Sequence, residues 1–293
     1  MDTFGEVGPE HENNHLPPAG ETDLTWQESW AFAWYDPLNR IGGWQHCGMQ
    51  RLRGVTDINS YVAHDGRLID DYEHDAFPLP AQDYTNITFG PVTLKSLEPL
   101  TKHQVILANV NSHTELTLNT TVGPFWMGHG NAPHHWEGFG RVTGQVKLSD
   151  KTVPVNGFFF HDRSWGTRDW DGMFVIRLVC AIFGDDMIFR LFQMTGPQGR
   201  KEYGYALING QFKSVLALDN EVLMTGDGMT PAGVQITAYT EGGEAWRITG
   251  RARDTHLMTH GPKWMMSHSN LVYECGGRVG TGFLEVSERR VPP

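Results

Sequence analysis

The stretch best suited to chemistry runs from residue 157 to residue 170 and reads G-F-F-F-H-D-R-S-W-G-T-R-D-W. It places Asp162 between a histidine and an arginine, with phenylalanines before it and tryptophans after it. Aromatic surroundings disfavour the charged form of a carboxyl group, whereas Arg163 and Arg168 favour it. An acid, a base and aromatic faces within one short span suit proton transfer to an apolar substrate.

In the functional interpretation Asp162 is a general acid that protonates an alkene or a leaving hydroxyl group. That step builds positive charge on carbon, and the faces of nearby indoles, Trp136 and Trp165, would stabilise it by cation–π attraction. His134 or His135 would then act as the base near neutral pH. The structural alternative is a carboxylate that neighbouring arginines or backbone amides hold in place.

The local histidines also suggest a metal site. The candidate ligands are His129, His134, His135, His161 and Asp162. Adjacent histidines on a strand point to opposite faces, so His134 and His135 cannot both bind one ion without a bulge or a turn. The sequence has no H-x-x-x-H helix pattern and no Cys pair, so we predict no metal and no other cofactor. Ser164 lies in D-R-S-W-G rather than G-x-S-x-G, which argues against a serine nucleophile.

The composition and net charge of the chain exclude several classes of protein. The 293 residues include 39% hydrophobic and 19% charged side chains, which indicates a globular chain with a real core. A net charge of -11 without any basic run argues against a nucleic-acid partner. No apolar run reaches the roughly 20 residues needed to span a bilayer. The polar N-terminus lacks a signal peptide, and three cysteines without paired spacing indicate reduced thiols, so we expect a cytoplasmic protein.

The hydrophobic pattern predicts strands. In the first predicted strand, residues 25–37, Trp30, Phe32 and Trp34 alternate with alanines, a period of two. Many short β-like segments follow, and Asn209-Gly210 between two of them is a hairpin signal. No long window keeps helical periodicity. We therefore predict an all-β chain of antiparallel β barrels or sandwiches.

Turn-forming residues suggest where the domains divide. Residues 1–21 are polar, contain prolines and show no period, which predicts a flexible or draped N-terminal arm. Glycines and prolines between residues 123 and 133 suggest a boundary. We therefore expect one β domain over residues 22–132 and a second over residues 133–293 that carries the H-H-W and H-D-R-S-W-G motifs.

The F-F-H-D-R-S-W-G-T-R-D-W stretch, preceded by H-H-W and followed by a G-T-G-F-L-E strand, resembles the carotenoid 1,2-hydratase superfamily. That group includes kievitone hydratase, AttH-like proteins and lipocalin-like fungal pericyclases. The resemblance implies two lipocalin-like β domains packed side by side, with an apolar site near their junction. In the hydratases the catalytic residues are a His-x-Trp pair and a Tyr-x-Asp.

The first pair resembles His134 and Trp136, and the second matches Phe160 to Asp162, with Phe160 where the family has tyrosine. Losing that phenol removes a group that could orient water, but it leaves the acid in place. The resemblance thus implies that Asp162, His134 and Trp136 are catalytic. Substrate-binding residues are then expected at Phe160, His161, Trp165, Trp126 and Trp170.

The leading hypothesis is acid-initiated lyase or isomerase chemistry on a small apolar molecule, a terpenoid or polyene. Hydration, dehydration, double-bond migration and cyclisation share the first protonation step, and the sequence favours none of them. One alternative is a pericyclase-like enzyme that mainly holds the reacting atoms of a polyene in line. Another is a lipocalin-like carrier that binds an apolar ligand without changing it.

Overall fold

A computed structural model describes residues 7–81, 85–127, 134–170, 172–260 and 264–290. Within these ranges the regular structure consists of antiparallel strands and two short 3-10 helices, Pro9–Glu12 and Arg51–Arg53. The predicted all-β fold of two antiparallel domains is confirmed. In the described part of the chain, no helix is long and apolar enough to cross a membrane.

The first unit comprises the described parts of residues 7–64 and 68–169. Its described strands form a ten-stranded sheet in the order β4-β3-β2-β1-β10-β9-β8-β7-β6-β5. Their bounds are β1 Trp26–Asp36, β2 Ile41–Gln50, β3 Val55–His64, β4 Arg67–Pro78, β5 Asn86–Phe89, β6 Val92–Glu98, β7 Lys102–Ala108, β8 Ser112–Trp126, β9 His134–Leu148 and β10 Thr152–Thr167.

The second unit comprises residues 65–67 and the described parts of 170–290. Eight described strands close into a barrel, with neighbours consecutive in the sequence. Their bounds are β11 Val175–Ile182, β12 Met187–Gly196, β13 Gly199–Ile208, β14 Gln211–Met224, β15 Pro231–Thr240, β16 Ala245–His260, β17 Trp264–Cys275 and β18 Arg278–Arg289. The predicted hairpin at Asn209 and Gly210 joins β13 to β14, and both residues have the positive φ that a tight turn requires.

This division differs from the predicted boundary between residues 132 and 133. β9 and β10, expected in the C-terminal domain, pair with β8 and β1 in the first sheet. Gly123 and Pro124 lie within β8 of the first unit, the other predicted turn residues before β9 are outside the described residues, and the units divide after residue 169. Turn residues mark hairpins as readily as domain boundaries, so composition alone does not separate the two.

One face of the first sheet carries its hydrophobic core, and we call it the core face. Trp30, Phe32 and Trp34 of β1 lie there, as their alternation with alanines predicts. The same cluster includes Ile58 of β3 and Ile87 of β5, which come from distant parts of the sheet order. The sheet therefore curves around this core, and each fully buried large side chain contributes about 1.5–3 kcal/mol.

Candidate active site on β9 and β10

The antiparallel pairing of β9 with β10 decides which motif residues meet. Glu137 lies directly opposite Asp162, and His135 lies opposite Ser164. Side chains alternate between the faces of a strand, so these four point away from the core. We call their side of the sheet the opposite face. Trp136, His134, His161, Arg163 and Trp165 alternate with them and lie on the core face.

Three titratable groups converge on the opposite face: His135, Glu137 and Asp162. His135 Nε2 is 3.4 Å from Asp162 Oδ2 and 3.4 Å from Glu137 Oε1. The Glu137 side chain is fully buried, whereas 12% of the His135 side chain and 19% of the Asp162 side chain are exposed. An imidazole thus sits between two carboxyl groups, and two of the three groups remain within reach of a substrate.

The surroundings of Asp162 are apolar on one side and polar on the other. Phe160 lies two residues earlier on the same face, with its ring centroid 5.4 Å from that of Phe139 on β9. Ala31 stands opposite Asp162 on β1 and contributes only a methyl group beside the carboxyl. On the polar side, Ser164 Oγ accepts a hydrogen bond from the buried Arg168 guanidinium at 3.0 Å.

The same three groups are also a possible coordination set. Their ligand atoms, one from each side chain, all lie within 4.8 Å of one another. His134 is not among them, as strand alternation predicts, because it lies on the core face. His129 lies outside the described residues.

The core face holds the other residues predicted for the site. Trp136 and Trp165 are buried and share one cluster with the half-buried Trp126. Their rings do not face Asp162, so the structure does not bring Asp162 together with His134 and Trp136 on one face of the sheet. The physical reason is strand geometry. Trp136 lies one register position away from the partner of Asp162 on the paired strand, so the two side chains point to opposite faces of the sheet.

Two histidines of the core face, His161 and His134, have lowered pKa values, which favours their neutral forms. Burial lowers the pKa of His161 well below its ordinary value, and the nearby His103 and Arg163 lower it further. The His161 ring stacks on Phe32, with centroids 4.1 Å apart. For His134, partial burial lowers the pKa first, and His15 adds to the effect.

The N-terminal arm covers this part of the core face. Residues 1–21 are predicted to be a flexible or draped arm, and the described residues from Val7 onward are packed against the rest of the first unit. The His15 ring stacks on Trp165 at 3.6 Å, and the indole N–H of Trp136 donates a hydrogen bond to the His11 carbonyl. Glu12 is almost completely buried. The draped arrangement is therefore the one observed for these residues.

A buried ion-pair network ties β1 to β10 on the core face. Arg163 Nη2 donates to Glu28 Oε1 at 2.8 Å, and neither side chain is exposed. His15 donates to the same carboxylate through its backbone and its ring, and Arg51 donates to Glu28 Oε2 at 3.1 Å. Arg163 thus turns away from Asp162, although the two are neighbours in the sequence.

From the sequence, the catalytic roles go to His134 and Trp136. His135 is only an alternative base, and Glu137 is not selected. The signal for them is the i, i+2 spacing of His135 and Glu137, which places both on one face of a strand. Trp170, predicted to bind substrate, belongs to the second unit, where its ring centroid lies 6.4 Å from that of Trp264.

Comparisons with solved structures confirm the fold resemblance. An AttH-type protein of Nitrosomonas europaea is 13% identical with a TM-score of 0.69, and the match covers 97% of this chain and 98% of that one. Kievitone hydratase of Nectria haematococca is 10% identical with a TM-score of 0.69, and the match covers 98% and 94%. CghA, solved with Sch210972, is 13% identical with a TM-score of 0.66, and the match covers 98% and 97%.

A sequence search against curated proteins finds no match. A family profile, in contrast, matches residues 8–290, nearly the whole chain. That profile is described as a domain of unknown function, DUF7064. The chain therefore belongs to the DUF7064 family and has the fold of the AttH and kievitone hydratase structures.

Proposed function

We propose that the chain is a cofactor-independent enzyme that moves protons to and from a small apolar substrate at Asp162 and His135. The observation that carries this proposal is the 3.4 Å separation of His135 Nε2 from Asp162 Oδ2 on the opposite face. A carboxyl group and an imidazole at this distance provide an acid and a base within reach of neighbouring atoms of one substrate. Catalytic contacts are often long before substrate binds and shorten in the complex.

The reaction begins with proton transfer from Asp162 to an alkene carbon or to a hydroxyl group. In hydration, water adds to the resulting cation and His135 takes one proton from that water, so that alkene and water give an alcohol. In dehydration, protonated hydroxyl leaves as water and His135 takes the proton from a neighbouring carbon. Isomerisation and cyclisation use the same two groups, with no water added or lost.

The stabilisation of positive charge, expected from Trp136, is assigned instead to aromatic rings on the same face as Asp162. Phe160 and Phe139 lie on the opposite face, and their centroids are 5.4 Å apart. Aromatic faces stabilise positive charge on carbon when water is excluded. The phenylalanine at position 160, where hydratases of the resembling family carry tyrosine, thus fits a less polar reacting centre than theirs.

Two observations support an apolar substrate and a hydro-lyase or cyclase type of reaction. The apolar neighbours of Asp162, Phe160 and Ala31, offer no hydrogen-bond donors from their side chains. One neighbour in fold, kievitone hydratase, is by its name a hydratase. We assign the substrate to the class of small terpenoids or polyenes.

The test is incubation with short isoprenoid alcohols, alkenes and polyenes in H2O and in D2O, with products identified by mass spectrometry. Hydration places one solvent deuterium on carbon in the alcohol product. Conversion that Asp162→Asn abolishes supports the proposal. Conversion that Asp162→Asn retains indicates a pericyclase that only holds the polyene in line, and ligand recovered unchanged indicates a carrier; either result overturns the proposal.

Chelation tests the metal alternative for the same three residues. Proton transfer by side chains alone predicts that dialysis against EDTA leaves turnover unchanged. A loss of turnover that Zn²⁺ or Mg²⁺ restores would mean that His135, Glu137 and Asp162 hold a cation, and the proposed roles of Asp162 and His135 would then be wrong.

A further inference from the structure

A carboxylate of the chain itself occupies a pocket on the core face of the first unit. Glu12, at the end of the short helix Pro9–Glu12, is 2% exposed. Its Oε2 accepts a hydrogen bond from the backbone N–H of Leu100 at 2.9 Å, and its Oε1 accepts one from His103 Nε2 at 3.1 Å. Both oxygens of a buried carboxylate are therefore held by donors that are far away in the sequence.

The pocket favours negative charge. Burial acts to raise the pKa of Glu12, but the hydrogen bond from His103 and the charges of His103 and Arg163 outweigh it, so the pKa lies below its ordinary value. His103 is as deeply buried as Glu12 itself. Groups arranged in this way bind a carboxylate anion whichever molecule carries it.

A further donor in the same place has no partner. His161 is fully buried, and neither of its ring nitrogens has a hydrogen-bond partner among the described residues. Its ring centroid lies 4.8 Å from that of His103 and 4.8 Å from that of Trp136. Buried polar groups without a partner are uncommon and costly, so a polar ligand that bonds to the His161 ring would remove this cost.

The arm also fills the apolar side of the pocket. Val7 packs in one cluster with Trp136, Trp165, Trp26 and Leu100. Val7 and Glu12 together present an apolar group and an acid to the same pocket. A carboxylic acid with a short hydrocarbon body presents the same two features.

The arm is held by few backbone contacts. Residues 7–25 form no strand, and no sheet pairing joins them to the unit. The carbonyls of His11, Asn13 and His15 accept side-chain hydrogen bonds from Trp136, Arg163 and Arg51, and the His15 backbone N–H donates to Glu28; these add to the side-chain contacts of Glu12 and His15. Such a segment can exchange with a competing ligand without disrupting the sheet.

We propose that this pocket is a binding site for a carboxylate on an apolar body, and that Glu12 occupies it until such a ligand displaces the N-terminal arm. The ligand's carboxylate takes the Leu100 and His103 hydrogen bonds, and its hydrocarbon part replaces Val7 against Trp136 and Trp165. The site lies on the core face and uses none of the residues of the candidate active site. It stands or falls separately from the proposed function.

Isothermal titration with octanoate tests the site in the full chain. Glu12 competes within the molecule, so its removal raises the fraction of chains able to bind. We expect Glu12→Ala to bind octanoate about tenfold or more tightly than the wild type does. Glu10→Ala is the matched control, because Glu10 lies on the same short helix with 70% of its side chain exposed, and it should behave as the wild type.

1-Octanol, which has the hydrocarbon chain without the acid, should gain no affinity in Glu12→Ala. An equal gain for octanol, or no gain for octanoate, would overturn the proposal. Cleavage of the wild type by a glutamate-specific protease is a second test of the proposal. Because it uses no variant, a folding defect cannot explain its result. Octanoate, and not octanol, should speed cleavage after Glu12, and an unchanged rate would contradict displacement of the arm.

Discussion

On the core face of the first unit, deeply buried titratable groups form pairs within the unit. Arg163 meets Glu28, His103 meets Glu12, and the N-terminal arm covers them. On the opposite face, His135 lies between two carboxyl groups, at distances too long for good hydrogen bonds, and part of Asp162 is exposed. β10 thus contributes Arg163 to a structural network on one face and Asp162 to the proposed proton-transfer site on the other.

The difference shows how two adjacent residues acquire separate roles. Asp162 and Arg163 are neighbours in the chain, but strand alternation sends one to each face. A paired buried charge contributes to stability mainly because losing its partner is costly. A partly exposed acid beside an imidazole can exchange protons with a bound molecule. A variant of Asp162 should therefore lose turnover, whereas a variant of Arg163 should lose stability.

The largest effect is expected on turnover from Asp162→Asn. The amide keeps the shape of the side chain but cannot donate the proton, so we expect turnover to fall about 10³-fold. Thermal unfolding should change little, because the carboxyl is partly exposed. Single-turnover rates and melting temperatures of the same preparations provide the check. If Asp162→Asn lost stability but kept full turnover per folded molecule, Asp162 would have a structural role, and the roles assigned to the two faces would be wrong.

Arg163→Met should have the opposite effect, on stability. It leaves Glu28 buried without its closest cation, and breaking a buried pair in this way costs about 3–5 kcal/mol. Urea unfolding measures the change in free energy. Arg53→Met, at an exposed arginine of the same unit, is the control and should stay within about 0.5 kcal/mol of the wild type. Equal effects of the two variants would argue against the buried network.

A comparison of the adjacent histidines sharpens the assignment of the base. His135→Gln removes the imidazole next to Asp162, and turnover should fall about 100-fold. His134→Gln changes a residue on the core face, 5.2 Å from the Trp165 ring, and should keep most of the activity. Steady-state rates measured above the KM separate the two. A larger loss of turnover in His134→Gln than in His135→Gln would instead assign the base to the His-x-Trp pair, as the sequence predicts.

The smallest expected effect concerns the arm and depends on pH. The ionised form of Glu12 is favoured by His103 and Arg163, so its contribution to stability is complete above about pH 4.5. It is lost as the pH falls through the lowered pKa of the folded state. Wild type should exceed Glu12→Gln by about 1–3 kcal/mol at pH 7. Urea unfolding at pH 7 and below pH 4 should show this gap closing, and a constant gap would exclude the ion pair as its source.

Much of the fold could be predicted from local patterns. Alternation placed Trp30, Phe32 and Trp34 on one face, and Asn209-Gly210 marked a hairpin, because both signals depend only on neighbouring residues. β4, Arg67–Pro78, was not predicted, since its charged and mostly exposed residues do not alternate clearly. The boundary was misplaced because strand partners such as β1 and β10 are far apart in the sequence.

The candidate site could be predicted only in part. The density of acid, histidine and aromatic residues in the sequence pointed to the strands now seen as β9 and β10, on which the candidate site is proposed. Which of them meet depends on the register, and the register of paired strands requires the structure. A shift of one residue would have brought Trp136 to the face of Asp162 in place of His135. The burial of Glu12 left no local signal, because its partners, Leu100 and His103, are nearly 90 residues away.

A crystal structure with a converted substrate, or with an unreactive analogue of it, tests the central claim most directly. The account predicts that the atom to be protonated lies within about 3.2 Å of the Asp162 carboxyl, on the face that holds His135 and Glu137. A reacting atom bound instead beside His134, Trp136 and His161 would contradict it, because the chemistry would then belong to the core face.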